Sequence, residues 1–385
     1  MTNDPAIVIP CWNRPKLLHR LLKSIIHSGL PGEKRIPLIF SVDSKPPKAL
    51  IKLIESFEWN FGKKEIVYHS EKKGLRENIL FCGDLTNKYG TVILLEEDLI
   101  AGRSFYQFAM EAINFYKADE RIAGISLYSY DYSELGLNKF IPMNDNSSAF
   151  FMKWPSSWGQ VWNNKQWMGF RDWYDQNKEE DFATINIHEG INRWPPSSWK
   201  KYFCAYLAVS NRYFVYPRQS YTTNPGEQGE NYSPGTFRPF QVPLSFLPTG
   251  PFSFKEFKDS KVKYDQYFEF EFKNIDTEIH YICSRDIEFD LFGNKNLDKI
   301  SSKYLVSIRK SNNPVCSFRL FEFPAEINII NNNYDGIFTL GLTHSFQPKI
   351  SLMHKGIIIN RQYKFISLGD FFRLLYFKVL KKFRK

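Results

Sequence analysis

No run of apolar residues in this chain is long enough to cross a bilayer. The start, Met1-Thr-Asn-Asp-Pro5 and then a short apolar run over residues 6–10, lacks the basic lead and long hydrophobic segment of a secretory leader. Cysteine is scarce. Cys11, Cys82, Cys204, Cys283 and Cys316 stand apart, without the paired spacing of a zinc site or a disulfide framework. That usage fits a reducing compartment, and a cytoplasmic protein is expected. There is no internal repeat and no low-complexity segment. No nucleic-acid-binding module accompanies the positive charge, which excludes nucleic acid as the expected partner.

What is present is a 385-residue chain, enough for one large or two ordinary domains, with a net charge of +10 and many aromatic rings. Rings of this kind serve cores, and they also line sites that stack bases or sugars. Much of the charge gathers at the C-terminus: Arg361, Lys364, Arg373, Lys378, Lys381, Lys382, Arg384 and Lys385 against Asp370 alone. Phe371, Phe372, Leu374, Leu375 and Phe377 are interleaved with them. Residues 366–385 therefore read as a basic amphipathic helix lying on an anionic membrane surface. The alternative is a terminal helix packed on its own domain.

The first 127 residues alternate between short apolar runs and helical spacing. Strands are predicted over residues 6–10, 36–42, 65–69, 91–95 and 122–127. Helices are predicted from Pro15, with Leu17, Leu18, Leu21, Leu22 and Ile25 on one face, and over residues 49–57, 75–85 and 104–116. This order predicts an α/β fold, a mostly parallel sheet with helices on both faces. The run over 91–95 is nearly all apolar and reads as a central strand. From about Met143 loops rich in Trp and Pro take over. Beyond residue 250 short alternating segments, including 267–272, 287–291, 304–308 and 337–342, read as strands of a β-rich extension. The expected organisation is a domain over 1–245, a β-rich region over 246–365 and the basic tail.

In a parallel α/β sheet the ligand sits beyond the carboxyl ends of the strands. Three polar clusters fall there: Asn13 with Arg14, Asp43, and Glu96-Glu97-Asp98. Three adjacent carboxylates at a buried strand end repel one another and are costly to desolvate. A hard cation removes that cost, and Mg²⁺ or Mn²⁺ commonly takes one or two carboxylates together with substrate phosphate oxygens. A solvated acidic loop is the plainer alternative.

The order Pro10-Cys-Trp-Asn13-Arg14, Ser41-Val-Asp43, Leu95-Glu96-Glu97-Asp98-Leu99 resembles the GT-A glycosyltransferases. It is most similar to the N-acetylglucosaminyltransferase I group and its relatives among bacterial polysaccharide enzymes. The resemblance covers roughly the first 240 residues, by motif order. It implies that Asp98 binds a divalent cation, Mn²⁺ or Mg²⁺, and that Glu96 contacts the donor sugar, with Glu97 where the family has Asp. It implies further donor contacts at Pro10, Asn13, Arg14, Asp43 and Arg76. Arg14 would meet the nucleotide diphosphate and Asp43 the uridine side. Ser157-Trp158-Gly159-Gln160-Val161-Trp162 is similar to the family's acceptor-side loop. Thr222-Thr223-Asn224-Pro225-Gly226-Glu227 is similar to its closing loop.

The sequence departs from the family at one place. Where inverting relatives carry a Trp-Asp pair with the catalytic base, this chain has Trp199-Lys200. Lysine is a poor base at neutral pH. The candidates left are Glu189, Glu227 and Glu230, and Lys200 could instead hold an anionic acceptor. The resemblance implies transfer of a sugar from a UDP-linked donor to a glycan or lipid-linked acceptor, with inversion; the basic tail adds an expected peripheral contact with the inner face of the cytoplasmic membrane. Two rival readings stand beside it. A nucleotidyltransferase would want a Gly-rich loop after the first strand, which Cys11-Trp-Asn-Arg14 lacks. A non-catalytic binder of sugar nucleotides would tolerate Lys200.

Overall fold

The computed structural model describes residues 4–32, 35–226, 240–245, 247–362 and 367–383. The chain divides into two compact units, Met1–Ile275 and Asp276–Lys385.

The first half of the first unit follows the predicted alternation: β1 (Ala6–Cys11), α1 (Pro15–Ile26), β2 (Leu38–Val42), α2 (Lys48–Ser56), β3 (Lys64–Tyr68), α3 (Gly74–Asp84), β4 (Thr91–Leu94), α4 (Phe105–Tyr116) and β5 (Ile122–Ser126). Pro15 opens α1, and Leu18, Leu21, Leu22 and Ile25 form its buried stripe, as their spacing predicts. The segment read from sequence as loops is a correction. It supplies β6 (Ala149–Met152), β7 (Gln160–Asn163), α5 (Asn164–Asn177), α6 (Trp199–Ser210), β8 (Tyr213–Pro217) and a two-residue edge strand, β9 (Lys263–Tyr264). The appended region therefore begins later than residue 246, because β9 belongs to the first unit's sheet.

The sheet order is β9-β6-β8-β5-β7-β4-β1-β2-β3. Strands β1 to β4 lie side by side and parallel. Strand β7 is wedged antiparallel between β4 and β5. That reversal brings the first residue of β7, Gln160, opposite Leu94 at the carboxyl end of β4. Strand β8 is parallel to β5, and β6 runs against β8. Helices cover both faces. Phe214 of β8 meets Phe203 of α6 edge to face, while Phe151 of β6 meets Tyr116 of α4 in the same way. In register Phe151 pairs with Val215, the neighbour of Phe214, so the two rings point to opposite sides.

Helix α5 starts with a capping box: Asn163 accepts from the Gln166 N–H at 2.8 Å and the Gln166 side chain accepts from the Asn163 N–H at 3.2 Å. It lays Trp167 on Trp162 of β7, ring centres 4.7 Å apart, and Phe170 on Phe203, 4.1 Å apart. Gly83 of α3 lets that layer close, for a methyl there would lie 2.1 Å from a Trp167 ring carbon. Gly83→Ala is expected to lower the melting temperature through overpacking of about 1–3 kcal/mol. An unchanged melting curve would contradict this packing.

The second unit holds a four-stranded sheet, β10 (Ile287–Asp290), β11 (Tyr304–Ser307), β12 (Pro314–Phe318) and β13 (Phe338–Leu342), in the order β10-β11-β13-β12. Three of these strands match the predicted segments. The fourth expectation fails: residues 267–272 form only an isolated bridge, Tyr264 to Phe270, and a turn. Asp265 accepts from the N–H groups of Tyr267 and Glu269, curling the chain before it can extend. Phe289, Leu305, Val306, Phe318, Phe338 and Leu340 are buried in the second unit. Asp290 is buried there too and takes the Arg309 Nε at 3.0 Å. Two helices follow, α7 (Leu352–Gln362) and α8 (Leu368–Phe383). No helix among the described residues is long and apolar enough to cross a membrane.

Candidate active site

The acidic triplet follows β4 after Leu95, and the loop Trp12-Asn13-Arg14 directly follows its neighbour β1. The two segments are laced together. Glu97 Oε2 accepts from the Trp12 N–H at 3.0 Å, and Arg14 Nη1 donates to Asp98 Oδ2 at 2.7 Å. Arg20, from the next turn of α1, donates to the Asp98 carbonyl at 3.3 Å. Arg14 and Asp98, which sequence analysis assigned to one site, are in direct contact. Glu97 is 8 % exposed, and its carboxylate anchors the loop that carries Arg14.

Asp98 divides its oxygens. Oδ2 belongs to Arg14, whereas Oδ1 is buried and has no hydrogen-bond partner. A buried carboxylate oxygen without a donor costs free energy. It is also what a cation or a donor group of a ligand would fill. The neighbouring acids are also disfavoured as anions, chiefly by burial. Burial, then the Asp98 charge, pushes Glu96 up to about 8, against the pull of Arg14 and Lys200. Burial raises Glu97 to about 7 despite the Trp12 N–H and Arg14. The donor set is all oxygen, which suits Mg²⁺ or Mn²⁺. Among the described residues no three metal-ligating side chains converge into a closed cage. The residues fit a cation held by one or two carboxylates and completed by phosphate and water.

The other proposed donor contacts are placed differently. Pro10 is buried within the sheet, in register with Ser41 of β2. Asn13 is exposed on the Arg14 loop. Arg76 spends its guanidinium on the Pro196 carbonyl at 2.8 Å, the Tyr202 hydroxyl at 3.2 Å and Glu77 at 3.0 Å. It thereby ties α3 to α6 and shares none of these partners with Arg14. Asp43, at the end of β2, accepts from the N–H groups of Ser44, Lys73 and Gly74 at 2.7, 2.7 and 2.9 Å. It caps the start of α3 from outside that helix.

Burial alone would raise the Asp43 carboxyl, but these three N–H groups hold it below the ordinary aspartate range. A depressed native value means stability that is complete above about pH 4 and lost as the pH falls through the native value. Asp43→Asn is therefore expected to melt below wild type at pH 6, by on the order of 1–2 kcal/mol. The gap should close toward pH 3, as thermal melts across that range can record. A gap independent of pH would refute the charged cap.

Lys200 is only 5 % exposed, at the first turn of α6. Its ammonium donates to Glu134 Oε2 and to the Tyr130 hydroxyl, and lies 5.0 Å from the Trp154 ring centre and 5.8 Å from that of Trp158. Its charged partner in this structure is the internal carboxylate of Glu134. Trp199, which the resemblance places on the acceptor side, is buried and packs against Trp162 and Phe203. Gly159 has φ +96°, and a Cβ there would come within 3.0 Å of the Thr222 side chain. Its freedom serves that close approach.

Glu189 is exposed at the start of a short helix and makes no described contact with Arg14, the triplet or Lys200. Glu227 and Glu230 lie outside the described residues. Sequence reasoning missed Glu134. Its one available signal was Lys200 itself, because a buried lysine requires a carboxylate.

No protein-family model matches the chain, and no curated protein matches it in sequence. Several solved structures are similar to part of it. S. aureus TarS 1–349 in complex with UDP-GlcNAc matches over 60 % of this chain and 61 % of that one, at 12 % identity and a TM-score of 0.40. The mannosyltransferase PcManGT from Pyrobaculum calidifontis, in complex with GDP-Man and Mn²⁺, matches over 56 % and 54 %, at 10 % identity and 0.35. Mouse xyloside xylosyltransferase 1 matches over 55 % and 84 %, at 11 % identity and 0.37. Against the longer S. aureus TarS chain the match spans 36 % of that chain.

Proposed function

We propose that this protein is a glycosyltransferase that takes a sugar from a nucleotide-diphosphate donor, UDP-linked, and passes it to a hydroxyl of a glycan or lipid-linked acceptor with inversion. The observation that carries the reading is the pairing of Arg14 with Asp98 at adjacent strand ends, with Asp98 Oδ1 buried and open. Arg14 supplies a planar fork suited to diphosphate oxygens. Asp98, with Glu96 beside it, would hold Mn²⁺ or Mg²⁺. A cation bound there neutralises charge on a departing diphosphate. Glu97 keeps the Arg14 loop against the end of β4, so the arginine is placed before the donor arrives.

We further place the protein on the inner face of the cytoplasmic membrane, in polysaccharide synthesis. Helix α8 exposes Phe371, Phe372, Tyr376 and Phe377 along with Arg373. Rings and basic groups so mixed favour an anionic lipid surface. The transferase reading is tested by thermal melts with UDP- and GDP-sugars, with and without Mn²⁺. A donor that binds only the folded state raises its melting temperature by mass action. Stabilisation by at least one UDP-sugar, larger with Mn²⁺, is expected. No shift with any of them removes the reading. Release of pyrophosphate in place of UDP would identify a nucleotidyltransferase.

A further inference from the structure

We propose that Glu134 is the base that deprotonates the acceptor, and that Lys200, Tyr130 and Trp154 position it by fixing one of its two oxygens. The proposal rests on the transferase reading and fills the gap left by the lysine at position 200. Three donors converge on Glu134 Oε2: the Lys200 ammonium, the Tyr130 hydroxyl at 2.7 Å and the Trp154 indole N–H at 3.0 Å. Oε1 takes no hydrogen bond among the described residues, and the side chain keeps 16 % of its surface exposed. One edge of the carboxylate is thus clamped and the other is presented.

The backbone is fixed as well. Glu134 sits in a turn closed by the Ser133 N–H on the Asn138 carbonyl at 2.8 Å and the Leu137 N–H on the Ser133 carbonyl at 2.9 Å. A buried ion pair formed only for stability gains little over an apolar pair of the same shape. Here a lysine is buried among rings to hold an acid whose second oxygen is free.

The sheet sets this cluster and the triplet beyond the same edge. Gln160 pairs with Leu94 in the antiparallel ladder of β7 and β4. Two residues back is Trp158, whose ring neighbours Lys200, and two residues on is Glu96. In the reaction the acceptor hydroxyl gives its proton to Glu134 Oε1 while its oxygen bonds to the anomeric carbon. The bond from that carbon to the diphosphate oxygen breaks, and its electron pair leaves with the nucleoside diphosphate.

The test measures UDP release from UDP-glucose, UDP-galactose and UDP-N-acetylglucosamine, water standing in for the acceptor hydroxyl. UDP affinity is measured alongside by titration calorimetry with Mn²⁺. Glu134→Gln is expected to lower kcat by about 10²–10⁴-fold, the usual contribution of a positioned base, with UDP affinity unchanged. Should that variant not fold, Glu134→Asp, which keeps the acid but withdraws it by one methylene, is expected to lower kcat at unchanged affinity.

Lys200→Met tests the positioning role through a split of kcat from affinity: with the clamp on Glu134 Oε2 removed, kcat is expected to fall while UDP affinity with Mn²⁺ stays unchanged. Wild-type turnover in the folded Glu134 variants, with UDP still bound, overturns the assignment. A wild type that releases no UDP from any of the three sugars overturns the transferase reading and this proposal together.

Discussion

Asp98→Asn is expected to abolish the gain in UDP affinity that Mn²⁺ confers, while leaving the fold intact. The amide oxygen can still accept from Arg14, so the 2.7 Å contact and the loop it holds survive. What is lost is the negative charge and the free carboxylate oxygen, Oδ1. Loss of groups that merely support a metal ligand costs about 10–100-fold in affinity, and loss of a ligand should cost at least the upper figure. Titration calorimetry of UDP into wild type and variant, with and without Mn²⁺, gives four affinities. They should differ between the proteins only when the metal is present. Four equal affinities would disconnect Asp98 from any cation.

Trp162→Ala is expected to be the most destabilising single change in the first unit. Trp162 is fully buried and joins β7 to both covering helices through Trp167 and Phe203. Truncating such a ring costs about 3–5 kcal/mol. For a unit of this size each 1 kcal/mol shifts the melting temperature by about 2–4 °C, so a fall on the order of 10 °C is expected by calorimetry. Trp162→Phe should cost far less. It keeps most of the ring and removes an indole N–H that is buried without an acceptor. Equal losses for the two variants would mean that ring volume is not what the position requires.

The legible parts of the sequence were those where local pattern and tertiary role coincide. Strands β1, β2 and β4 are buried on both faces and read as continuous apolar runs, and the stripe of α1 repeats at helical spacing. Pairing of Arg14 with Asp98 followed from the rule that parallel strands deliver their carboxyl ends to one edge. The reversed strands gave no such signal. In β6 and β7, four residues each, tryptophan- and proline-rich segments lie between or beside them, and neither alternates in polarity. Asp43 and Arg76 looked like ligand contacts because their positions were right. Their hydrogen bonds turn out to run to backbone groups of α3 and to Pro196, which sequence spacing does not encode. Glu134 was the least legible of all, for its partners come from residues 130, 154 and 200, far apart along the chain.

The two oxygens of Asp98 have separate duties, and this restricts how the position can be redesigned. Glutamate carries the same charge but adds one methylene. It could keep its grip on Arg14 only by swinging the second oxygen out of the spot where Oδ1 now rests. An exchange of one acid for another is therefore not conservative at residue 98. The side chain works as a spacer of fixed length between a guanidinium and an open coordination point, and its reach matters as much as its charge.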